Sequence, residues 1–328
     1  MSSLASLADC LGQALAGLAP VADTHLPLAQ ARGVVLARDL TVPADLPARA
    51  QALRAGLAVP ALDLMGASPQ MPLPLPARHP VTPGAALPPG CDAVLPEEDV
   101  DPLGPMALRT PGPGEGVRLA GQDARAGLVI APAGAALTAR AALVAGLAGL
   151  DRAAVRRPGV AIDLPDPVLA DFAAAWARDQ GAEVGADRVD LLLRATPTHR
   201  PRLALTPGDT AWLARVDGRL VLDLPPRFDG LMAALLALGL PALAALSGRL
   251  APPRPVALGR KLTSAIGLTE LALLTPGPEG WLPEAAGTIT LAGLTRARAF
   301  TLVPPGAEGF AAGATVPAQP LDAEGMPT

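Results

Sequence analysis

The sequence contains no tyrosine and no asparagine, and it has a single lysine, Lys261. Aromatic residues make up only 2% of the chain. The codons of tyrosine, asparagine, lysine and phenylalanine are rich in A and T, so GC-rich coding is the simplest explanation of the bias. The physical consequences hold in either case. Arginine supplies nearly every cation, and alanine, leucine and valine must build the core.

Cysteine and net charge exclude several classes of protein. The two cysteines, Cys10 and Cys91, are too few and too far apart for a disulfide scaffold or a thiolate metal site. The net charge of −4 argues against a nucleic-acid-binding protein, which would present a basic surface. A chain of 328 residues is long enough to divide into two or more domains.

Two apolar segments raise the question of export or membrane insertion. Met1–Pro20 has no basic start and contains Asp9, so it is a poor signal peptide and is expected to form an amphipathic helix. Residues 230–248 carry no charge and are long enough to span a bilayer. Because Gly239 and Pro241 interrupt them, two buried core helices broken at Pro241 are favoured over a membrane helix. The sequence therefore predicts a soluble, cytoplasmic protein.

Local patterns predict several elements. Glycines recur from Gly114 onward and indicate tight turns, followed by a strand at Leu128–Ile130 and a helix at Ala139–Leu150. A further helix is expected at Val168–Gln180 and a strand at residues 189–193. Near the C-terminus, Gly/Pro turns separate three expected strands, at Leu271–Leu274, Thr288–Leu291 and Ala299–Val303.

Three ordered sets of residues carry a family resemblance. The first set comprises Arg118, Gly121, Asp123, Gly127, Gly134 and the segment Ala139–Gly149. The second comprises Ala31, Gly33, Leu36, Ala37, Pro43, Asp45 and Pro47. The third comprises Gly84, Ala85, Pro88, Gly90, Asp92, Ala93 and Val94. Through these residues the chain resembles the molybdopterin molybdenumtransferase (MoeA/gephyrin) family over nearly its whole length.

The resemblance implies an α/β and β multidomain fold of the elongated MoeA type. It would contain a small β-rich domain, an α/β (MoaB/MogA-like) domain of the pterin-binding type and a C-terminal β-barrel-like domain. The implied boundaries are an N-terminal helix at 1–20 packing on the α/β domain, a hinge domain at 21–48 and 124–156, an inserted β-rich domain at 49–123, a shortened α/β domain at 157–250 and a C-terminal β domain at 254–323.

The resemblance also implies an activity and a site. Family enzymes take adenylylated molybdopterin and molybdate and cleave the adenylate with the help of Mg²⁺. The candidate substrate-binding residues here are Arg118, Asp123, Asp163 and Asp166, and the candidate Mg²⁺ ligands are Glu98 and Asp123. The structural alternatives are an Arg118–Asp123 ion pair, buried or beside the hinge, that orders the glycine-rich turns, and a solvated acidic turn around Glu98.

Several positions depart from the family pattern. The family's catalytic aspartate is replaced by Ala55, whose methyl group can neither take a proton nor hold a metal. Further replacements stand at Pro83, Thr206, Pro226 and Arg227, and together they argue against ordinary turnover.

A glycine-rich phosphate loop of the family is replaced by residues 194–202, which include two prolines. Prolines donate no backbone N–H to a phosphate, whereas glycines let bare backbone N–H groups approach it closely. Two interpretations of this segment remain open. Arg194, His199, Arg200 and Arg202 form either a different anion site or a surface turn.

Two functional hypotheses follow. The first is a MoeA-like molybdopterin molybdenumtransferase of molybdenum cofactor biosynthesis, with Mg²⁺ and molybdate or molybdopterin as its ligands. The alternative is a non-catalytic scaffold or chaperone of the same fold with no cofactor. It would bind a cofactor-synthesis partner such as molybdopterin adenylyltransferase, or a molybdoenzyme. The family forms dimers, so a homodimer or a heterodimer with an intact paralogue is expected, without nucleic acid or membrane.

Overall fold

The computed structural model describes residues 4–75, 79–196 and 202–321. The outer ends of two expected domains, 1–3 and 322–323, and the candidate anion ligands His199 and Arg200 lie outside these ranges. The described residues form seven α-helices: α1 (Leu7–Leu15), α2 (Leu28–Ala31), α3 (Ala139–Leu147), α4 (Pro167–Asp179), α5 (Phe228–Ala234), α6 (Leu240–Ser247) and α7 (Leu291–Arg296). A π-helical segment at Leu235–Gly239 joins α5 to α6, and short 3-10 helices lie at Ala61–Leu64 and Glu97–Asp99.

Most strands are short. In chain order they are β1 (Thr24–Pro27), β2 (Val35–Leu36), β3 (Leu40–Thr41), β4 (Gln51–Ala52), β5 (Gly56–Val59), β6 (Leu73–Pro74), β7 (Pro80–Val81), β8 (Ala93–Leu95), β9 (Met106–Ala107), β10 (Val117–Arg118), β11 (Val129–Ala131), β12 (Arg152–Arg156), β13 (Gly159–Asp163), β14 (Glu183–Val184), β15 (Leu191–Ala195), β16 (Leu205–Thr206), β17 (Trp212–Val216), β18 (Arg219–Leu224), β19 (Arg254–Ala257), β20 (Leu262–Thr263), β21 (Thr269–Gly277), β22 (Gly280–Pro283), β23 (Ala299–Val303), β24 (Gly309–Phe310) and β25 (Thr315–Pro320).

The chain divides into two compact units. Unit 1 comprises Met1–Asp39, Ala131–Ala142 and Asp151–Thr328, and unit 2 comprises Leu40–Ile130 and Leu143–Leu150. Unit 1 contains a parallel α/β sheet and a separate β sheet, whereas unit 2 is built mainly from short antiparallel strand pairs. The expected α/β and β multidomain class is confirmed.

The α/β sheet of unit 1 has the strand order β14-β13-β15-β18-β17. The first four strands are parallel, and β17 runs antiparallel to β18 at the edge. Alternate residues of its central strands are fully buried, among them Val160, Leu191 and Leu222, because period-2 alternation turns them to one face. On the same core, Trp176 of α4 lies over Leu222, and Cys10 of α1 donates from its Sγ to the Leu213 carbonyl at 3.5 Å.

A long apolar helix crosses unit 1. Phe228–Ser247 forms one continuous helix with a mean hydropathy of 2.0, and 72% of its most apolar window is buried inside the protein. The expected burial is confirmed, but the expected break at Pro241 is wrong. The π turn Leu235–Gly239 comes immediately before α6, and Pro241 sits in the first turn of α6. Proline has no backbone N–H, and its ring clashes with the preceding helical turn. Because the π turn before α6 already changes the hydrogen-bond pattern at this point, Pro241 is tolerated there.

The second sheet of unit 1 has the order β16-β21-β23-β25-β19, with β22 paired to β21. Two of the three expected C-terminal strands correspond to β21 and β23. The third, expected at Thr288–Leu291, is wrong, because Thr290 is the N-cap of α7 and its side chain accepts from the Gly293 N–H. At this position the hydrogen bond made by the threonine cap outweighs the preference of threonine for strands.

Unit 2 holds a small sheet, β7-β5-β8, and the pairs β10-β4, β6-β9 and β11-β3. Its core is made of aliphatic side chains such as Val59, Leu64 and Leu95. Gly56 opens β5 directly against β8, where an added Cβ would lie 2.3 Å from the Leu95 carbonyl oxygen. This close strand approach therefore requires glycine.

Gly239→Ala is expected to destabilise unit 1 by about 1–3 kcal/mol, because the new methyl would lie 2.8 Å from the buried Trp176 ring. Gly12→Ala is the matched control, since Gly12 is also helical and has no atom within 4 Å of an added Cβ. That variant should gain about 0.5–1 kcal/mol. All three tryptophans lie in unit 1, so urea unfolding followed by tryptophan fluorescence measures both changes. Equal stabilities of the two variants would contradict the packing argument.

Candidate functional site

The carboxyl edge of the parallel sheet is the first candidate site. From β13 the chain crosses through α4 to β14 on one side and then returns to β15 on the other side. The strand order therefore reverses at the carboxyl ends of β13 and β15. Ligands of open α/β sheets bind in the crevice at such a reversal. Asp163 ends β13 and Arg194 lies one residue before the end of β15, so both lie at this position.

Three charged residues form a row across this edge. Asp163 pairs in register with Arg194, and Arg194 pairs with Asp223 of β18, so their side chains share one face of the sheet. Arg194 Nε donates to Asp223 Oδ1 at 2.6 Å. Asp223 is only 1% exposed, whereas the Arg194 side chain is 32% exposed and Asp163 is exposed. The ion pair thus compensates the buried carboxylate at one end of the row.

Asp166 has a structural role at the same edge. It is the N-cap of α4, and its Oδ1 accepts from the backbone N–H groups of Val168 at 2.9 Å and Leu169 at 3.1 Å. Pro167 follows at the first helical position, where a missing N–H costs nothing. The side chain predicted to bind substrate therefore occupies two of the donors that an anion at this helix terminus would need.

A second ion pair lies in the segment that follows β18. Arg227 donates to both carboxylate oxygens of Asp229, at 3.2 and 2.8 Å, and the Gly230 N–H donates to the same carboxylate. The Arg227 guanidinium holds the pKa of Asp229 below its ordinary value. Arg227 is one of the residues that replaces a family motif, and here its charge is already neutralised.

The arginines at this edge thus have partners. Arg194 is paired with Asp223, Arg227 with Asp229, and Arg202 with Asp209. Asp163 adds a further exposed carboxylate. A phosphate or molybdate would need cations or bare N–H groups. Within the described residues this edge instead offers arginines that are already engaged by carboxylates.

The other three candidate residues, Arg118, Asp123 and Glu98, lie in unit 2. Arg118 Nη1 donates to Asp123 Oδ2 at 3.2 Å, and the two side chains are 45% and 47% exposed. The structure therefore brings this predicted pair together, but at the surface and not as a buried ion pair. Glu98 lies in the 3-10 helix Glu97–Asp99 and is exposed.

Ala55 is exposed in the turn that joins β4 to β5. The side chains around this turn form a charge network that the sequence did not reveal. Arg54 Nη2 donates to Glu115 Oε1 at 2.8 Å and to the Val94 carbonyl at 3.0 Å. Arg109 bridges the same glutamate to Asp99, with contacts of 2.8–3.0 Å. Next to the position where the family has its acid, this chain has a structural ion network.

The described residues do not form a carboxylate cluster that would hold a metal ion by itself. Across residues 4–75, 79–196 and 202–321, no group of three or more His, Cys, Asp or Glu side chains is placed to hold a metal ion. Of the two predicted ligands, Asp123 is engaged by Arg118. Magnesium requires near-octahedral oxygen ligands, of which one or two are carboxylates from the protein. No reaction step is therefore assigned to a bound metal.

Comparison with known proteins agrees with this architecture. Residues 5–149 match the family described as the MoeA N-terminal region (domain I and II). This match covers the N-terminal part of the chain and less than half of its length. Among curated relatives, molybdopterin molybdenumtransferase 2 of Mycobacterium tuberculosis is 33% identical over 125 residues, 32% of this chain and 31% of that protein. The molybdopterin molybdenumtransferase of Synechococcus elongatus is 31% identical over 152 residues, 40% of this chain and 38% of that protein.

Solved MoeA structures share the fold over a longer range. A molybdopterin biosynthesis MoeA protein of Pyrococcus horikoshii aligns with a TM-score of 0.72 at 19% identity, covering 96% of this chain and 99% of that chain. A molybdenum cofactor biosynthesis protein of Pyrococcus furiosus aligns with a TM-score of 0.61 at 15% identity. The sequence match, by contrast, spans about a third of the length of the curated relatives. At these identities the structural likeness establishes a shared fold.

Sequence reasoning overlooked two charged groups in this chain. Asp223 had a usable signal, because it is an acidic residue inside the otherwise apolar strand Arg219–Leu224. Such a residue is buried only when it is paired. Glu115 had no comparable signal, since its partner Arg54 is 61 positions away.

Asp223→Ala should lower the free energy of unfolding of unit 1 by about 1–3 kcal/mol, because it removes a charged hydrogen bond from a buried site and leaves Arg194 without this acceptor. Asp163→Ala is the control, since this exposed register neighbour should change stability by at most about 0.5 kcal/mol. Urea unfolding monitored by tryptophan fluorescence compares the two. A loss in Asp163→Ala as large as that in Asp223→Ala would contradict the assignment.

Hydrogen bonds from Arg109, reinforced by the Gly112 N–H and Arg54, lower the pKa of Glu115 to about 2. A carboxylate with a lowered folded-state pKa stabilises the protein above its unfolded pKa of about 4.3. That contribution is lost as the pH falls from about 4.3 toward about 2. Relative to the intrinsic exchange rate at each pH, amide hydrogen exchange at Val94 and its β8 neighbours should therefore accelerate over this range. In Glu115→Gln the acceleration should be largely absent, whereas Glu98→Gln should behave as wild type. An NMR titration of Glu115 with a midpoint near its ordinary value would refute the network.

Proposed function

We propose that the protein acts in molybdenum cofactor biosynthesis as a MoeA-type protein that does not itself catalyse molybdate insertion. The observation that carries this proposal is the exposed alanine at position 55, with its neighbour Arg54 bound to Glu115. The family resemblance assigns the catalytic aspartate to position 55. Without a carboxylate there, no group at this turn can move the proton or orient the water that cleavage of the adenylate requires.

The carboxyl edge of the α/β sheet supports the same proposal. A transferase needs open cations or backbone N–H groups for the pterin phosphate and the molybdate oxyanion. At this edge Arg194 and Arg227 are held by Asp223 and Asp229, and Asp166 occupies the first donors of α4. An anionic substrate would have to displace a carboxylate at each position. The chain keeps the fold, but the arginines that would stabilise a negatively charged substrate are already bound to carboxylates.

The second candidate function is a scaffold or chaperone of the same fold. The arginines paired with carboxylates favour this role over a transferase of low activity. In this role the protein would be a dimer in the cytoplasm and would hold a cofactor-synthesis partner, such as molybdopterin adenylyltransferase, or a molybdoenzyme. A heterodimer with an intact paralogue would place one complete catalytic surface beside this chain. Binding by a scaffold requires neither Mg²⁺ nor a free oxyanion site.

Purified protein supplied with adenylylated molybdopterin, molybdate and Mg²⁺ is expected to form molybdenum cofactor at least about 100-fold more slowly than an intact MoeA relative, because general acid–base catalysis alone contributes that much. Reconstitution of a cofactor-free molybdoenzyme measures the product. Ala55→Asp restores the missing carboxylate, and Leu53→Asp, at an exposed position two residues earlier, is the matched control. A wild-type rate equal to that of the intact relative would contradict the proposal.

Calorimetry separates the two candidates in the same samples. Titration of molybdopterin, with and without its adenylate, is expected to give no heat of binding if the protein is a scaffold. Co-elution with molybdopterin adenylyltransferase or a molybdoenzyme on size exclusion would then identify the partner. Molybdopterin binding near 1 μM, about −8 kcal/mol, would instead favour a ligand-binding protein in which only the catalytic acid is missing.

A further inference from the structure

A cleft of about 180 Å³ in unit 1 is lined by none of the residues of the sites described above. Its lining runs along α6 and includes Gln180 after α4 and the end of β25. Its polar lining consists of Gln180, Ser247, Arg249 and Gln319. The rest of the wall is apolar and includes Leu240 and Leu243 of α6.

Arg249 is the only charged residue in this lining. Its Nη1 donates to Gln180 Oε1 at 2.7 Å, and no carboxylate among the described residues forms an ion pair with it. A guanidinium has five N–H donors. Arg249 makes no other side-chain hydrogen bond to the described residues, and it is part of the cleft lining. The arginine is therefore fixed in place but not saturated.

The surroundings explain how this charge is tolerated. Burial lowers the pKa of Arg249, yet a guanidinium stays charged at neutral pH. Gln180 is the C-cap of α4 and Gly248 the C-cap of α6, so the partial negative charge of two helix ends is directed at the same place. The carboxylates nearest in sequence do not compete, because Asp179 is exposed and Glu183 pairs with Arg157 at 3.8 Å.

A second arginine lies beside the cleft residues. An added Cβ on Gly248 would be 3.0 Å from Arg156 Nη1, and Gly248 directly precedes Arg249. In the described part of the chain Arg156, too, forms no ion pair with a carboxylate. Only about half of the other described arginines form an ion pair with an acid. The surroundings of Gly248 are distinguished by bringing two such guanidinium groups, those of Arg156 and Arg249, close together.

We propose that this cleft binds a small organic monocarboxylate, with its carboxylate on the Arg249 guanidinium and its apolar body against Leu240 and Leu243. A planar carboxylate matches the arginine fork, and the Gln180 amide adds a donor beside it. The partial negative charge of the two helix ends opposes any anion, and this repulsion grows with the charge of the ligand, so a monocarboxylate is favoured over a dianion such as phosphate. A cavity of about 150 Å³ holds a benzene ring, so the apolar body has roughly six carbon atoms.

The ligand used to test this is 4-methylpentanoate, titrated into the full-length protein by calorimetry and by chemical-shift mapping. The neutral 4-methylpentanamide and inorganic phosphate are titrated in parallel. A carboxylate of this size on a single arginine is expected to bind with a dissociation constant of about 1 mM or tighter. The amide is expected to bind at least about 10-fold more weakly, because it loses the charged hydrogen bonds.

Three variants test the residues. R249Q should weaken binding of the carboxylate by at least about 10-fold, whereas R254Q, at an exposed arginine of the same unit, should leave it unchanged. Ala251 lines the cleft from its exposed side, so Ala251→Leu should also weaken binding while Arg249 keeps its contacts. This variant keeps the test valid if R249Q proves unstable.

Three outcomes would overturn the proposal. The first is the absence of heat and shift changes with 4-methylpentanoate up to about ten times the expected dissociation constant. The second is equal binding of phosphate and the carboxylate, which would make this a general anion site. The third is unchanged binding in both R249Q and Ala251→Leu. None of these results depends on molybdopterin or on transferase activity.

Discussion

The structure of unit 1 depends on burying a helix that has no polar face. Phe228–Ser247 packs on the α/β sheet through residues such as Leu231 and Leu238, and on the second sheet through Met232 and Leu236. A helix that is apolar all round is stable only when it is covered on every side. Each sheet covers one side of the helix, so removal of either sheet would expose the side that it covers.

The shortage of lysine, asparagine and aromatic residues shapes the rest of the molecule. Close packing is achieved by glycine and alanine, as where Gly239 admits the Trp176 ring against the sheet. Electrostatic order is achieved by arginine pairs that fix turns, as Arg109 does with Glu115 and Asp99. Since arginine binds carboxylates through a planar fork, each such pair is geometrically specific. Because these arginines are already bound to carboxylates, they are not available to bind an oxyanion.

Elements with strong local signals were predictable from the sequence. The helix at Val168–Gln180 corresponds to α4, and its limits follow from Asp166 at the N-cap and Pro167 in the first turn. The family patterns led to the correct fold class, since they preserve turns and packing positions. The strand expected at Thr288–Leu291 failed because Thr-Ile-Thr favours strands by propensity, while a single side-chain hydrogen bond from Thr290 decides for a helix.

The candidate site was harder to predict, for physical reasons. The surface pair Arg118–Asp123 is close in sequence and followed from the motif. The pair Arg194–Asp223 joins two strands that are 29 positions apart, so its identity depends on the sheet register. Whether a charged side chain is open to a ligand or engaged by a neighbour is a property of tertiary packing. A sequence motif specifies residue types but not the contacts that each residue makes in the folded protein.

The burial of the Phe228–Ser247 helix also sets an order of events during synthesis. The strands of the α/β sheet, β13–β18, precede the helix in the chain and can cover one side as it emerges. The other side waits for β21 and β23, the last of which ends at Val303. At about 5–20 residues per second, the nascent chain exposes a half-covered apolar helix for several seconds. During that interval an apolar surface of the helix is open to other contacts, and completion of the second sheet removes it from solvent.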